Sequence, residues 1–352
     1  MATKKRSEPQ RAPDRIESNK ELNHELLRSM LLQRRFEERC AEAYALGKIG
    51  GFCHLYIGQE AVSTGTLSVI RPDDYVMTTY RDHGQALARG IPARSIMAEL
   101  FGRVTGCARG KGGSMHIFDR NTNFLGGHGI VGAHVALATG VGFAIKYRGG
   151  DQVCICFMGE SVVNTGAFHE ALNMAGLWKL PVVYIIENNR YGMGTALERA
   201  SAIHNIYERG AAYNMPRTTC DGQDVFDMRA TVSEAVERAR REQIPTLIEA
   251  RTYRFMGHSM SDAVSGTYRT KEELDENIKR DPIALLRMHM QDRDEITDEE
   301  LAALDEELKG VVQDAWDFAD QSPEPPPEAL WEDVYVDTTS DAETTQTAVA
   351  AD

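Results

Sequence analysis

The residues best suited to chemistry stand at two strand ends. Gly159-Glu160-Ser161 follows the apolar run 153–158, and Glu187-Asn188-Asn189 follows a second apolar run at 182–186. Between them, residues 165–177 carry apolar side chains at helical spacing (Phe168, Ala171, Leu172, Ala175), and Leu180-Pro181 closes the segment. Strand, helix and strand in that order read as a βαβ unit, because parallel strands need a crossover of this length. Open α/β sheets bind ligands at the carboxyl ends of their strands. A carboxylate at Glu160 and an amide at Asn189 then converge, and such oxygen donors, with room for phosphate oxygens, suit Mg²⁺. The bland alternative is that Glu160 caps a helix and the Asn pair makes a turn. Both motifs at successive strand ends favour the site.

Other candidates lie on either side. His54 stands in GFCHLYIGQEA, where an isolated histidine is as readily structural as catalytic. Residues 75–80 read as a strand ending on Tyr80 and Arg81, and a guanidinium there offers a planar fork of donors to a diphosphate. From 102 to 132 the chain is dense in glycine, which lets backbone N–H groups approach a ligand closely. Arg103, Arg109 and Lys111 add local positive charge there. The helix after Glu160 would turn its partly positive N-terminus to the phosphates. His258 opens a polar loop, MGHSMSDAVSGTYRTKEE, expected to be mobile. A histidine titrates near neutral pH and can donate to phosphate or substrate.

A chain of 352 residues suffices for one large α/β domain, here 18–336, between tails at 1–17 and 337–352 expected to be disordered. Ser18-x-x-Glu21 reads as a capping box opening a long helix that Gly47, Gly50 and Gly51 stop. The stretch after Val131 reads as a small-residue helix in which Gly140 and Gly142 permit close packing. Asp281-Pro282 and Thr297-x-x-Glu300 start helices, the second with an apolar stripe at Leu301, Leu304, Leu308 and Val311. A formal charge of −14 argues against a nucleic-acid partner. No run reaches the roughly 18 apolar residues of a membrane span. The N-terminus lacks the apolar core of a secretory signal, and six cysteines without a CxxC pair suit a reducing, cytoplasmic setting rather than a mitochondrial matrix.

Several stretches together carry a resemblance: GFCHLYIGQEA, YRDHG, GCARGKGGSMH, GGHGIVGA, ALNMAGLWKLP, ENNRYGMGT and YRFMGHSMSD. From about residue 20 to 335 the chain resembles the E1 α subunits of thiamine diphosphate-dependent 2-oxo acid dehydrogenases, those acting on pyruvate most of all. The resemblance implies the thiamine diphosphate-binding fold, a mainly parallel sheet with helices on both faces. It implies Mg²⁺ held by Glu160, Asn189 and the Tyr191 carbonyl. Cofactor contacts would come from Tyr80, Arg81, Gly129, Val131, Gly159, Glu160, Ser161, Val162, Asn189, Tyr191 and His258, with His54 and His258 as catalytic residues. It also implies a β subunit completing an α₂β₂ site, pyruvate as substrate, and transfer of the acyl group to a lipoyl arm of an E2 acyltransferase. Without the β subunit the chain would be inactive. Two departures stand out: Glu160-Ser161 replaces the family's Asp-Gly, and one residue is inserted around 263–266. Ser259, Ser265 and Thr267 lie where mitochondrial relatives are phosphorylated; no such regulation is expected in a chain that reads as bacterial. The alternatives are an E1 α subunit for branched-chain 2-oxo acids or acetoin, and a non-catalytic homologue.

Overall fold

The computed structural model describes residues 19–335. The tails read at 1–17 and 337–352, and Ser18, lie outside them. The chain opens with α1 (Lys20–Ala45), whose cap is Asn19 instead of the expected Ser18: Asn19 Oδ1 accepts the Leu22 N–H at 2.8 Å. Asparagine and serine cap equally well, so the helix starts one residue later than read. After α1 come α2 (Glu60–Leu67), β1 (Tyr75–Thr79), α3 (His83–Ala88), α4 (Ala93–Leu100), β2 (Phe124–His128) and α5 (Ala133–Tyr147). The expected βαβ unit follows as β3 (Cys154–Gly159), α6 (Gly166–Trp178) and β4 (Val182–Asn188). A small hairpin, β5 (Tyr191–Gly192) and β6 (Thr195–Ala196), precedes α7 (Leu197–Ala200), β7 (Arg217–Asp221), α8 (Val225–Glu242) and β8 (Thr246–Arg251). Three helices end the chain: α9 (Lys271–Ile278), α10 (Pro282–Gln291) and α11 (Asp298–Gln321).

Six strands form one parallel sheet in the order β2-β1-β3-β4-β8-β7. Its central strands are apolar on both sides because helices cover both faces. In β3 the two-residue period sends Ile155 and Phe157 into one core, with α1, α4, α8 and α11 residues. Cys154, Cys156 and Met158 enter the other, with α5 and α6. These cysteines are core residues, as their alternation suggested, and burial pushes both thiols up. Close packing of α5 on the sheet needs Gly142, where a Cβ would fall 2.4 Å from Val182 Cγ2. Gly140, paired with it in the sequence reading, instead faces outward. Asp281 caps α10 and Thr297–Glu300 forms the capping box of α11. In that stripe Val312, not Val311, is the buried valine, since a straight helix drifts off a strict three–four spacing. Among the described residues no helix is long and apolar enough to cross a membrane.

Candidate active site

A cavity of about 530 Å³ opens at the carboxyl ends of β1, β3 and β4. The chain runs outward from β1 to β2 and then returns to β3 on the other side, so β1 and β3 flank a switch point of the sheet. Crevices at such points receive ligands because the adjoining loops diverge there. All twelve residues selected from the sequence line this one cavity, from His54 through Tyr80, Arg81 and the Gly129–Val131 turn to Gly159–Val162, Asn189, Tyr191 and His258. Arg103, Arg109 and Lys111 do not. They pair with Glu324, Glu332 and Asp333 of the C-terminal segment.

Asn189 Oδ1 and the Tyr191 carbonyl point at the same group, Nη1 of Arg254, at 3.2 and 3.4 Å. Glu160 is buried nearby at 3 % exposure. Burial pushes its carboxyl up, while backbone N–H groups and the charge of Arg254 pull it back. Two oxygens thus converge on a buried cation with the third predicted donor beside it, the donor set a hard metal ion needs. The unusual Ser161 supports this set: its hydroxyl donates to Glu160 Oε1 at 3.3 Å and fills space that a Cβ at Gly192 would enter. The segment starting at Glu160 is a short 3₁₀ turn (Glu160–Asn164), and α6 begins only at Gly166, capped by Thr165. The helix read at 165–177 is therefore present as α6, its N-terminus one short turn beyond Glu160.

At the other end, His54 and His258 meet edge to face at 5.1 Å between ring centres, with Tyr80 4.5 Å from His54. Burial and the Arg81 charge lower His54 to about 2 and His258 to about 4, so both rings are neutral at pH 7. Nδ1 of each is buried without a partner. Arg81 does not hold its fork free: it donates to the carbonyls of Leu55 at 2.6 Å and His258 at 2.8 Å, tying together the two histidine-bearing loops. Burial lowers its pKa to about 10, and it remains a cation.

The glycine-rich loop departs further from its sequence reading. Its N–H groups at Ala108, Gly110, Gly112 and Gly113 donate to the Glu99 carboxylate of α4, at 2.8, 2.8, 2.7 and 3.1 Å. This part of the stretch cradles an anion of its own chain, whereas Met115 and the Gly129–Val131 turn farther along it line the cavity. Gln59, Glu187 and Arg254 also line the cavity and were not selected. Each stood inside a stretch singled out for other residues; a buried polar side chain amid apolar neighbours was the available signal.

Unpartnered buried nitrogens at His54, His258 and Gln59, together with the converging oxygens, fit a metal and an anionic organic ligand. Residues 28–328 match the family described as "Dehydrogenase E1 component". The chain is 48% identical over 321 residues to the "Pyruvate dehydrogenase E1 component subunit alpha" of Rhizobium meliloti (strain 1021), covering 91% of this chain and 92% of the relative. It is 43% identical over 323 residues to the protein of the same description from Rickettsia felis, covering 92% and 98%. Against the "Pyruvate dehydrogenase E1 component subunit alpha-3, chloroplastic" of Oryza sativa subsp. japonica, identity is 46% over 322 residues, 89% and 75% of the two chains. This fold, this cavity and these similarities have one explanation: the chain belongs to the dehydrogenase E1 component family.

Proposed function

We propose that this chain is the α subunit of a pyruvate dehydrogenase E1 component, using thiamine diphosphate and Mg²⁺. The observation that carries the reading is the convergence of Asn189 Oδ1 and the Tyr191 carbonyl on one buried cation, with Glu160 alongside. Those three groups would hold the metal. Tyr80, Arg81, the 129–131 backbone, Gly159, Ser161 and Val162 would surround the diphosphate. When bound, the cofactor supplies the electron sink for the carbanion left when a 2-oxo acid loses CO₂.

The protein's own part is orientation and proton handling. Neutral imidazoles at His54 and His258 each offer one N–H and one lone pair at the cavity wall. Either can donate to a substrate carboxylate or carbonyl oxygen. Phe52, Met115 and Met193 add apolar surface to the cavity wall.

A second subunit completes the site in this proposal. The outer faces of α5 and α6 expose Leu137, Phe143, Tyr147, Leu177 and Trp178, and the turn before α5 exposes Ile130 and the cavity-lining Val131. Phe143 stacks with Tyr147 and meets Trp178 at 5.5 Å between ring centres, and a cluster of exposed apolar side chains of this kind marks a protein interface. A β subunit seated there, in an α₂β₂ assembly, would supply the carboxylate that activates the aminopyrimidine. A lipoyl group of E2 would then accept the acyl product. Six unpaired cysteines suit a reducing cytoplasm.

The test is pyruvate-dependent reduction of an artificial electron acceptor, with thiamine diphosphate and Mg²⁺ present, by the chain alone and by its complex with the co-purifying β subunit. Turnover by the complex only is expected. Turnover of branched 2-oxo acids but not pyruvate would move the substrate, and a complex that binds no cofactor would overturn the reading.

A further inference from the structure

We propose that Gln59 is a further binding residue of this site, using both faces of its amide. Oε1 fixes which way the Asn189 amide points, and Nε2 donates to an anionic oxygen of a bound organic diphosphate. The inference rests on the cofactor reading above and deepens it.

The argument starts from the symmetry of an amide. Its C=O and NH₂ have nearly the same shape, so only the hydrogen-bond partners decide which one faces a cation. Asn189 Nδ2 donates to Gln59 Oε1 at 3.0 Å. That contact turns Asn189 Oδ1 to the opposite side, toward Arg254 Nη1 at 3.2 Å. Were the Gln59 acceptor lost, only the long bonds from the Tyr191 N–H at 3.4 Å and Arg254 would hold Oδ1 in place, and Asn189 could rotate by half a turn and present its NH₂ to the metal.

Gln59 is itself immobilised. It is 1 % exposed at the start of α2. Gly58 before it has φ +100° and sits so close to the Tyr253 carbonyl that a Cβ would fall 2.5 Å away. Glu60 after it is fixed by Arg34 Nε at 2.5 Å and accepts the Gly58 N–H at 3.0 Å. A side chain held this firmly can impose an orientation on its neighbour.

Gln59 Nε2 is buried without a partner, and the residue lines the cavity. A buried amide nitrogen costs free energy until an acceptor arrives. With Asn189 already bonded to Oε1, Nε2 is the polar atom of this side chain left for a ligand in the cavity that Gln59 lines. A diphosphate oxygen neutralised in part by the metal is the acceptor that matches it.

The experiment is calorimetric titration of thiamine diphosphate into the αβ complex at varied Mg²⁺, for the wild type, Gln59→Met and Gln59→Glu. Gln59→Met removes both faces: the Kd for thiamine diphosphate should rise by about tenfold or more, and half-saturating Mg²⁺ several-fold. Gln59→Glu keeps an acceptor for Asn189 but loses the donor. Its Mg²⁺ requirement should stay near wild type while its Kd for thiamine diphosphate rises by about tenfold or more. A wild-type Kd for thiamine diphosphate in either folded variant, or a wild-type Mg²⁺ requirement in Gln59→Met, overturns the proposal. If both variants fail to fold, a structure of the wild-type complex with thiamine diphosphate and Mg²⁺ decides. Nε2 within about 3.2 Å of a diphosphate oxygen supports the proposal, and Nε2 on any other partner overturns it. A wild-type complex that releases no heat with thiamine diphosphate removes the cofactor reading itself, a result distinct from unchanged variants.

Discussion

Glu160 carries one methylene more than the family's aspartate, yet its carboxylate stays in the cavity with Ser161 Oγ at 3.3 Å and the charge of Arg254 close by. The hydroxyl compensates for added side-chain freedom by restraining the carboxylate. Glu160→Gln, which removes the charge but not the size, should raise half-saturating Mg²⁺ by about tenfold or more. The cofactor-induced rise in Tm reads this directly, since a ligand that binds only the folded chain stabilises it. An unchanged Mg²⁺ requirement would place the metal elsewhere. At the opposite end, His258→Ala should lower kcat/KM of the αβ complex by roughly 10²-fold, the usual contribution of a positioned acid–base group. Full activity in that variant would strip His258 of a catalytic role.

Between elements, two buried acids hold the walls of the cavity in place. Glu99, at 0 % exposure, collects four N–H groups from the loop after α4. Gly106 is required there, because a Cβ would lie 2.3 Å from Glu99 Oε2. Glu99→Ala strands those donors and should cost about 3 kcal/mol or more in urea-denaturation experiments, with Glu99→Gln intermediate. Equal stability of the alanine variant would mean that water satisfies the loop. Glu37 of α1 plays the second part. It accepts the Tyr56 N–H at 2.7 Å and contacts His83 Nδ1 at 2.8 Å, while His83 Nε2 faces Ser114 Oγ at 2.9 Å. Burial alone would lower His83, but the Glu37 carboxylate and its hydrogen bond outweigh it and raise the pKa from 6.5 to about 9. A folded-state pKa above the unfolded one means stabilisation fully present below about pH 6.5 and gone above about pH 9. The Tm advantage of wild type over His83→Gln should therefore shrink as pH rises across that window. A pH-independent difference would show that packing, not charge, joins α1 to α3.

For the whole molecule, the two faces of the sheet differ in how they are finished. One lies under α1, α4, α8 and α11, whose outer surfaces carry ion pairs such as Arg94–Asp314 and Arg28–Glu307. The other lies under α5 and α6, which turn Phe143, Tyr147 and Leu177 outward. Exposed pairs contribute little to stability, so the contrast is one of solubility and partnership, not of core strength. Phe143→Asp with Leu177→Asp should leave the stability of the isolated chain within about 0.5 kcal/mol per substitution, as surface changes do. The same change should abolish recovery of the αβ complex on co-purification. A complex that still forms would move the β subunit to another face.

Local pattern determined much of this protein. Continuous apolar runs placed β3 and β4, the cap residues Asp281 and Thr297 started α10 and α11, and strand ends located Glu160 and Asn189, because each depends on neighbours within a few residues. The short motifs also led to twelve residues that all line the cavity. What depended on tertiary structure was the use of each polar group. Arg81 ties two loops, the glycine-rich N–H groups serve Glu99, Arg254 meets the converging oxygens, and Gln59 orients Asn189. These partners are separated by up to 177 positions along the chain, as Arg81 is from His258. Sequence spacing has no access to such a pairing. A buried donor takes whichever acceptor the packed fold brings within reach, and only the packed fold decides which one that is.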